Sequence, residues 1–232
     1  MSATLHTFEN GTALAEALAD AVGDRLAAAI KERGTASIAV SGGSTPKAFF
    51  QALSQRELDW TRVIVTLVDE RFVPPENDRS NHGLVAANLL QNKAAAARFV
   101  PLYRAAATAE HAAAMASEAT AGFANPFDIV VLGMGTDGHT ASFFPGGTRL
   151  REAIDPATPR SVITMNADGA GETRLTFTFS SLQDAGFLVL HIEGDGKKEV
   201  LARAEAPGDE MEMPIRAMLR RARSPLQIYW AP

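Results

Sequence analysis

Cysteine is absent from the 232 residues of this chain. Its absence excludes disulfide cross-links, thiol nucleophiles and thiolate-held zinc, and it fits a reducing compartment. Large amphipathic aromatics are scarce, with two tyrosines and two tryptophans, too few to form a stacking platform for single-stranded nucleic acid. Positive charge is in deficit: 22 Lys and Arg against 27 Asp and Glu leave a net charge of -5. That balance argues against a general affinity for nucleic acid or acidic membranes, so an anionic ligand needs a local cluster of cations. No apolar run approaches the ~18 residues of a membrane span. The first residues lack the basic stretch and apolar core of a secretory signal, and a cytoplasmic protein is expected. H-E-x-x-H, G-x-S-x-G and any grouping of His with carboxylates at metal-ligand spacing are also missing. Zinc-peptidase and serine-hydrolase chemistries therefore find no support, and no metal is expected.

The remaining composition is that of an ordinary soluble globular protein, 46% hydrophobic and 21% charged. A chain of this length buries one sizeable core, so a single domain over residues 1–232 is expected. Leu14, Leu18, Val22, Leu26 and Ile30 recur every fourth residue with Glu16, Asp20 and Asp24 off the stripe. This pattern predicts an amphipathic helix closed by Gly34. Short apolar runs follow at ASIAVS (36–41), VIVTLV (63–68), FDIVVL (127–132), SVITM, RLTFTF, GFLVLHI and LQIYW. Between them lie helical patterns at 46–53, 83–90, 105–122 and KKEVLARA. Strands alternating with helices predict an α/β fold built on a mostly parallel sheet. RLTFTF alternates more strictly than the rest, which suggests a mixed, antiparallel edge.

Ligands of open α/β sheets bind beyond the carboxyl ends of the strands, and four such places carry unusual residues. SGGSTP (41–46) joins Gly42 and Gly43 to the hydroxyls of Ser44 and Thr45, with Thr45 placed to cap a helix that Pro46 begins. Free N–H groups at such a turn suit a phosphate; the plain alternative is a tight strand-to-helix turn. Asp69, Glu70 and Arg71 follow the strand VIVTLV as charged loop residues, either solvated or orienting a polar substrate. Ser80 or Asn81 suits a cap for the next helix, and His82 carries no functional signal. GMGTDGHTASFFPGG (133–147) spells G-x-G-x-x-G at Gly133, Gly135 and Gly138. The loop lies beyond the first βα unit, however, and Pro145 leaves little room for a long helix. No acidic residue ends a strand about 20 positions on, where a dinucleotide fingerprint has its ribose partner. What the loop does hold is His139 two residues from Asp137, an imidazole suited to proton transfer near neutral pH beside a carboxylate able to fix its tautomer. Arg174 at the start of RLTFTF and Lys197 after GFLVLHI supply cations that suit a phosphate.

SGGSTP, VDERFVP with SN downstream, GMGTDGHTASFFP, RLTFTF and GDGKKEVL occur in this order between residues 41 and about 201. The set resembles the 6-phosphogluconolactonase family; the related glucosamine-6-phosphate deaminases share the fold and several loops, and a deaminase-like enzyme is the nearest rival reading. The resemblance implies a Rossmann-like sheet flanked by helices, of the sugar-phosphate isomerase and CoA-transferase type, without a nucleotide cofactor. It implies hydrolysis of 6-phospho-D-glucono-1,5-lactone by water activated at His139, with Asp137, Asp69 and Arg71 as further catalytic positions. Arg174, Lys197 and the turn Gly42, Gly43, Ser44, Thr45 would hold the phosphate. The partner is then a small sugar phosphate, and the protein a monomer or weak homodimer. In the deaminase relatives the segment after the histidine typically reads A-F-N-E-P, whereas Phe144 stands here before Pro145. Arg71 likewise departs from the aromatic residue usual in the deaminases' loop. FSSLQ (179–183) stands where family members often have Pro and Asn, and YWAP replaces the usual acidic ending. Two readings from other classes remain: a dinucleotide-dependent oxidoreductase, and a sugar-phosphate sensor without turnover.

Overall fold

The computed structural model describes residues 3–123 and 125–232. The chain begins with β1 (Thr4–Thr7), α1 (Gly11–Arg33), β2 (Ala36–Val40), α2 (Lys47–Ser54), β3 (Val63–Leu67) and β4 (Asp69–Arg71). It continues through α3 (Asn81–Asn88), β5 (Arg98–Phe99), α4 (Ala109–Thr120), β6 (Ile129–Leu132), α5 (Leu150–Ile154) and β7 (Val162–Met165). The last third contains β8 (Arg174–Phe177), α6 (Phe179–Leu182), β9 (Phe187–Glu193), α7 (Asp195–Glu205), α8 (Ile215–Arg221) and β10 (Leu226–Ala231).

α1 forms as its fourfold spacing predicts, with Leu14, Leu18, Val22 and Leu26 all fully buried. The Asn10 side chain accepts the Ala13 N–H at 2.9 Å, satisfying a donor that the first turn cannot pair internally. Gly34 ends the helix at φ 82° and donates its N–H to the Ile30 carbonyl, a left-handed cap that a side chain would strain. The helix lies over β2 and β10 and beside α2.

Seven strands make a parallel sheet in the order β1-β10-β9-β6-β2-β3-β5. Its central strands, β2, β6 and β9, are buried almost throughout, which explains why they read as unbroken apolar runs rather than alternating ones. One connected cluster of buried apolar residues runs through the molecule. The mostly parallel α/β sheet with flanking helices is the expected architecture.

A second sheet departs from the sequence reading. β4, β8 and β7 form a three-stranded antiparallel sheet covered by α4. The antiparallel character expected of RLTFTF is present, but β8 is the middle strand of its own sheet rather than an edge of the large one. Asp69, Glu70 and Arg71, expected in a loop, are the strand β4, too short to display a period of its own. β1, β5, α5, α6 and α8 had no legible pattern, being between two and seven residues long.

Candidate active site

Parallel strands point the same way, so the carboxyl ends of β2, β6 and β9 deliver their following loops to one rim of the sheet. A cavity of about 230 Å³ opens there. Its wall takes Gly42, Gly43, Ser44 and Thr45 from the turn after β2 and Asp69 and Arg71 from β4. His139 comes from the loop after β6, Arg174 from β8 and Lys197 from α7. Nine of the ten residues picked out from sequence therefore share one cavity. Asp137 is the exception and stands behind His139.

The glycines of the 133–147 loop shape it around the imidazole. Gly138 at φ 81° turns the chain, and the Gly135 N–H donates to the His139 carbonyl at 2.8 Å. A Cβ on Gly135 would fall 2.1 Å from His139 Nδ1, so only glycine lets the backbone lie against the ring. Asp137 Oδ1 accepts the His139 backbone N–H at 3.1 Å and stands 2.6 Å from Nδ1. Nδ1 is thereby occupied, and Nε2 is the nitrogen left for chemistry. Burial pushes the Asp137 carboxyl up, but the hydrogen bond and charge of His139 outweigh it and hold the group below its ordinary value. The Phe144 ring backs the imidazole at 4.5 Å between centroids. It packs behind His139 rather than on the cavity wall.

β4 sorts its three residues by the twofold alternation of a strand. Asp69 and Arg71 face the cavity, opposite Thr176 and Arg174 of β8, while Glu70 pairs with Leu175 and points away. Glu70 is fully buried, and burial raises its pKa despite donors from Asn81, His82, Arg71 and Ser80. Its carboxylate pins the start of α3, where Ser80 supplies the cap by accepting the Gly83 N–H. Asp69 Oδ2 accepts the Ser142 hydroxyl at 2.5 Å, and its carbonyl accepts the Asn81 side-chain amide at 3.0 Å.

The cations reach the cavity from separate elements. Arg71 and Arg174 are direct cross-strand partners, and like charges placed directly opposite one another destabilise a strand pair. Arg71 donates to the Arg79 carbonyl, Arg174 donates to the Ala170 carbonyl at 2.6 Å, and the Nε of each is buried without a partner. Burial lowers the Arg174 pKa, with Asp69 opposing the shift. Lys197 donates to the Met134 carbonyl at 2.7 Å. Burial also lowers its ammonium, and Asp137 opposes that shift.

Thr45 does not cap α2. Pro46 already has helical backbone angles at φ -77° and ψ -1°, and no side chain caps this end. Proline's ring carries the helical conformation back one residue, which leaves Thr45 on the cavity wall. Gly42 packs against Asn81, whose Oδ1 would lie 1.9 Å from an added Cβ. Asn81, Ala141, Ser142 and His191 belong to the site or its immediate support, yet sequence reasoning assigned them no role there. Asn81 resembled a helix cap. His191 lies inside an apolar strand, where its Nε2 meets Glu193 Oε1 at 2.9 Å. Ala141 and Ser142 carry no chemical signal of their own.

Comparison with known proteins adds an independent line. The family model described as glucosamine-6-phosphate isomerases/6-phosphogluconolactonase matches residues 9–230. The chain is 80% identical over 232 residues to a 6-phosphogluconolactonase of Rhizobium meliloti, covering 100% of both. It is 55% identical to a 6-phosphogluconolactonase of Mesorhizobium japonicum over 98% of this chain and 94% of that one. A 6-phosphogluconolactonase crystal structure from Shewanella baltica superposes with a TM-score of 0.95 at 39% identity, covering 100% of this chain and 98% of that one.

Proposed function

The chain belongs to the glucosamine-6-phosphate isomerase/6-phosphogluconolactonase family, and within it we propose that it hydrolyses 6-phospho-D-glucono-1,5-lactone to 6-phospho-D-gluconate. One observation carries the choice of chemistry. His139, with Nδ1 tied to Asp137 and Nε2 left over, stands on the wall of a cavity also walled by Arg71, Arg174 and Lys197. A lactone needs a base to activate water, a donor for the oxyanion and an acid for the leaving oxygen, and one histidine can serve as base and then acid.

His139 Nε2 takes a proton from water as the water oxygen bonds to the lactone carbonyl carbon. The imidazolium that results is stabilised by the Asp137 carboxylate. When the tetrahedral intermediate collapses, the bond to the ring oxygen breaks and the proton passes from Nε2 to that oxygen. Arg174 and Lys197, with the Gly42–Thr45 turn, hold the non-reacting phosphate. Asp69 and Arg71 orient the sugar between them. Residues 1–232 act as one lactonase domain, working as a monomer or weak homodimer in the cytoplasm.

Phe144 separates this reading from the deaminase branch of the family. An aromatic ring behind His139 neither accepts nor relays the proton that sugar-ring opening requires. Purified protein should accelerate hydrolysis of freshly made lactone well above the spontaneous rate and release no appreciable ammonia from glucosamine 6-phosphate. Ammonia release at a rate comparable to lactone hydrolysis would overturn the assignment.

A further inference from the structure

We propose that the backbone N–H of Ala141 holds the oxyanion formed during hydrolysis, and that the Ser142–Asp69 hydrogen bond keeps it in place. The proposal rests on the lactonase reading and assigns a role that the side chains of the site leave open. Ala141 has φ 46°, a left-handed conformation that an L-residue with a Cβ adopts at a cost. The other non-glycine residue at positive φ among those described is Asn92, a type that tolerates this region. Alanine does not, so its surroundings must impose the conformation.

They do so from both sides. Thr140 donates its hydroxyl to the Gly133 carbonyl at 2.8 Å, and the Phe143 N–H donates to the Thr140 carbonyl at 2.9 Å. Ser142 is fully buried. Its N–H donates to the Thr176 hydroxyl at 3.3 Å and its own hydroxyl donates to Asp69 Oδ2 at 2.5 Å. The strained residue is therefore clamped between β6, β4 and β8, the elements that also carry or support His139, Asp69 and Arg174.

Ala141 is 7% exposed and lines the cavity two residues after His139. Its N–H has no hydrogen-bond acceptor among the described residues. Buried backbone donors without acceptors are rare, and one fixed by strain on a cavity wall is organised before the substrate arrives. On the lactonase reading the amides of the Gly42–Thr45 turn serve the phosphate, and Arg71, with Asp69 on the same face of β4, orients the sugar. As water bonds to the lactone carbon, the carbonyl π pair moves onto oxygen, and that oxygen accepts the Ala141 N–H. The pair returns as the bond to the ring oxygen breaks, and the N–H is free again.

The test replaces Ala141 with lactate by ester incorporation, which removes the N–H and leaves the side chain. The expected result is a fall in kcat of roughly 10²- to 10³-fold, with KM, 6-phosphogluconate affinity and the thermal midpoint near native. An ester protein with kcat within about threefold of native, or a loss confined to KM, would overturn the assignment while leaving lactone hydrolysis intact. Failure of the unmodified protein to hydrolyse the lactone would instead defeat the reading on which the proposal rests. Ser142→Ala tests the clamp. As a positioning residue it should lower kcat about tenfold or more with KM held, and an unchanged kcat would remove it.

Discussion

His139 and Asp137 are two residues apart in the chain, and Oδ1 stands 2.6 Å from Nδ1. On the proposed mechanism base and acid steps share the one imidazole, so replacing His139 with Ala should lower kcat by roughly 10²- to 10⁴-fold. KM should change little, since the ring acts mainly in the transition state. Steady-state assay with the spontaneous rate subtracted checks this, and retention of half the native rate would exclude His139. Lys197 gives a pH-dependent prediction. Burial lowers its pKa from the ordinary lysine value, so it loses its positive charge at a pH below that value. Binding of 6-phosphogluconate should therefore weaken as pH rises through the lowered pKa. Lys197→Met should remove this alkaline decline and weaken binding at neutral pH by roughly 10- to 100-fold, the range for a charged hydrogen bond. Titration calorimetry between neutral and alkaline pH measures both effects; an unaltered decline in Lys197→Met would assign it to another group. These residues were legible because His, Lys and Asp advertise chemistry beside glycines. Ala141 was not, since what distinguishes it is a backbone angle.

β4 shows how an element of three residues can organise a site. Its alternation sends Asp69 and Arg71 to the cavity and Glu70 to the start of α3. Glu70 Oε1 accepts the Arg71 and Asn81 N–H groups at 2.7 and 2.8 Å. Its Oε2 accepts the His82 N–H at 2.7 Å and the Ser80 hydroxyl at 3.1 Å. Glu70→Gln turns one acceptor into a donor, which then faces N–H groups in a place water does not reach. Losing about two such bonds should cost roughly 2 to 4 kcal/mol, a fall in thermal midpoint of roughly 5 to 15 °C for a chain of this size. Calorimetric melting checks it, and a fall below about 2 °C would show that α3 does not depend on this carboxylate. From sequence, Asp69 to Arg71 read as a charged loop, because burial of a glutamate this complete depends on donors ten to twelve residues away.

At the scale of the whole molecule, the sheet order β1-β10-β9-β6-β2-β3-β5 places β2, β6 and β9 side by side although about 90 and 150 residues separate the first from the others. Parallel pairing aligns their carboxyl ends, so turns that look unrelated along the chain reach one rim. The antiparallel sheet then closes that rim from the side. It brings Arg174 opposite Arg71 and ties Asp69 to the loop of His139 through Ser142.

By itself the sequence determined the elements and the chemical vocabulary. Apolar periodicity is local, and it placed α1, the buried parallel strands and the glycine-bounded loops at their ends. The identities of His139, Asp137, Arg174 and Lys197 were likewise open to reading because a side chain's chemistry travels with its residue. Only the tertiary structure decided that Glu70 turns away from the cavity, that Thr45 faces it without capping α2, and that Phe144 lies behind the histidine. It alone placed Ala141, held at a positive φ, on the same cavity wall as His139. Each of these depends on contacts between segments far apart in the chain, whose register and backbone angles are set by packing the whole core and leave no periodic trace in any one stretch.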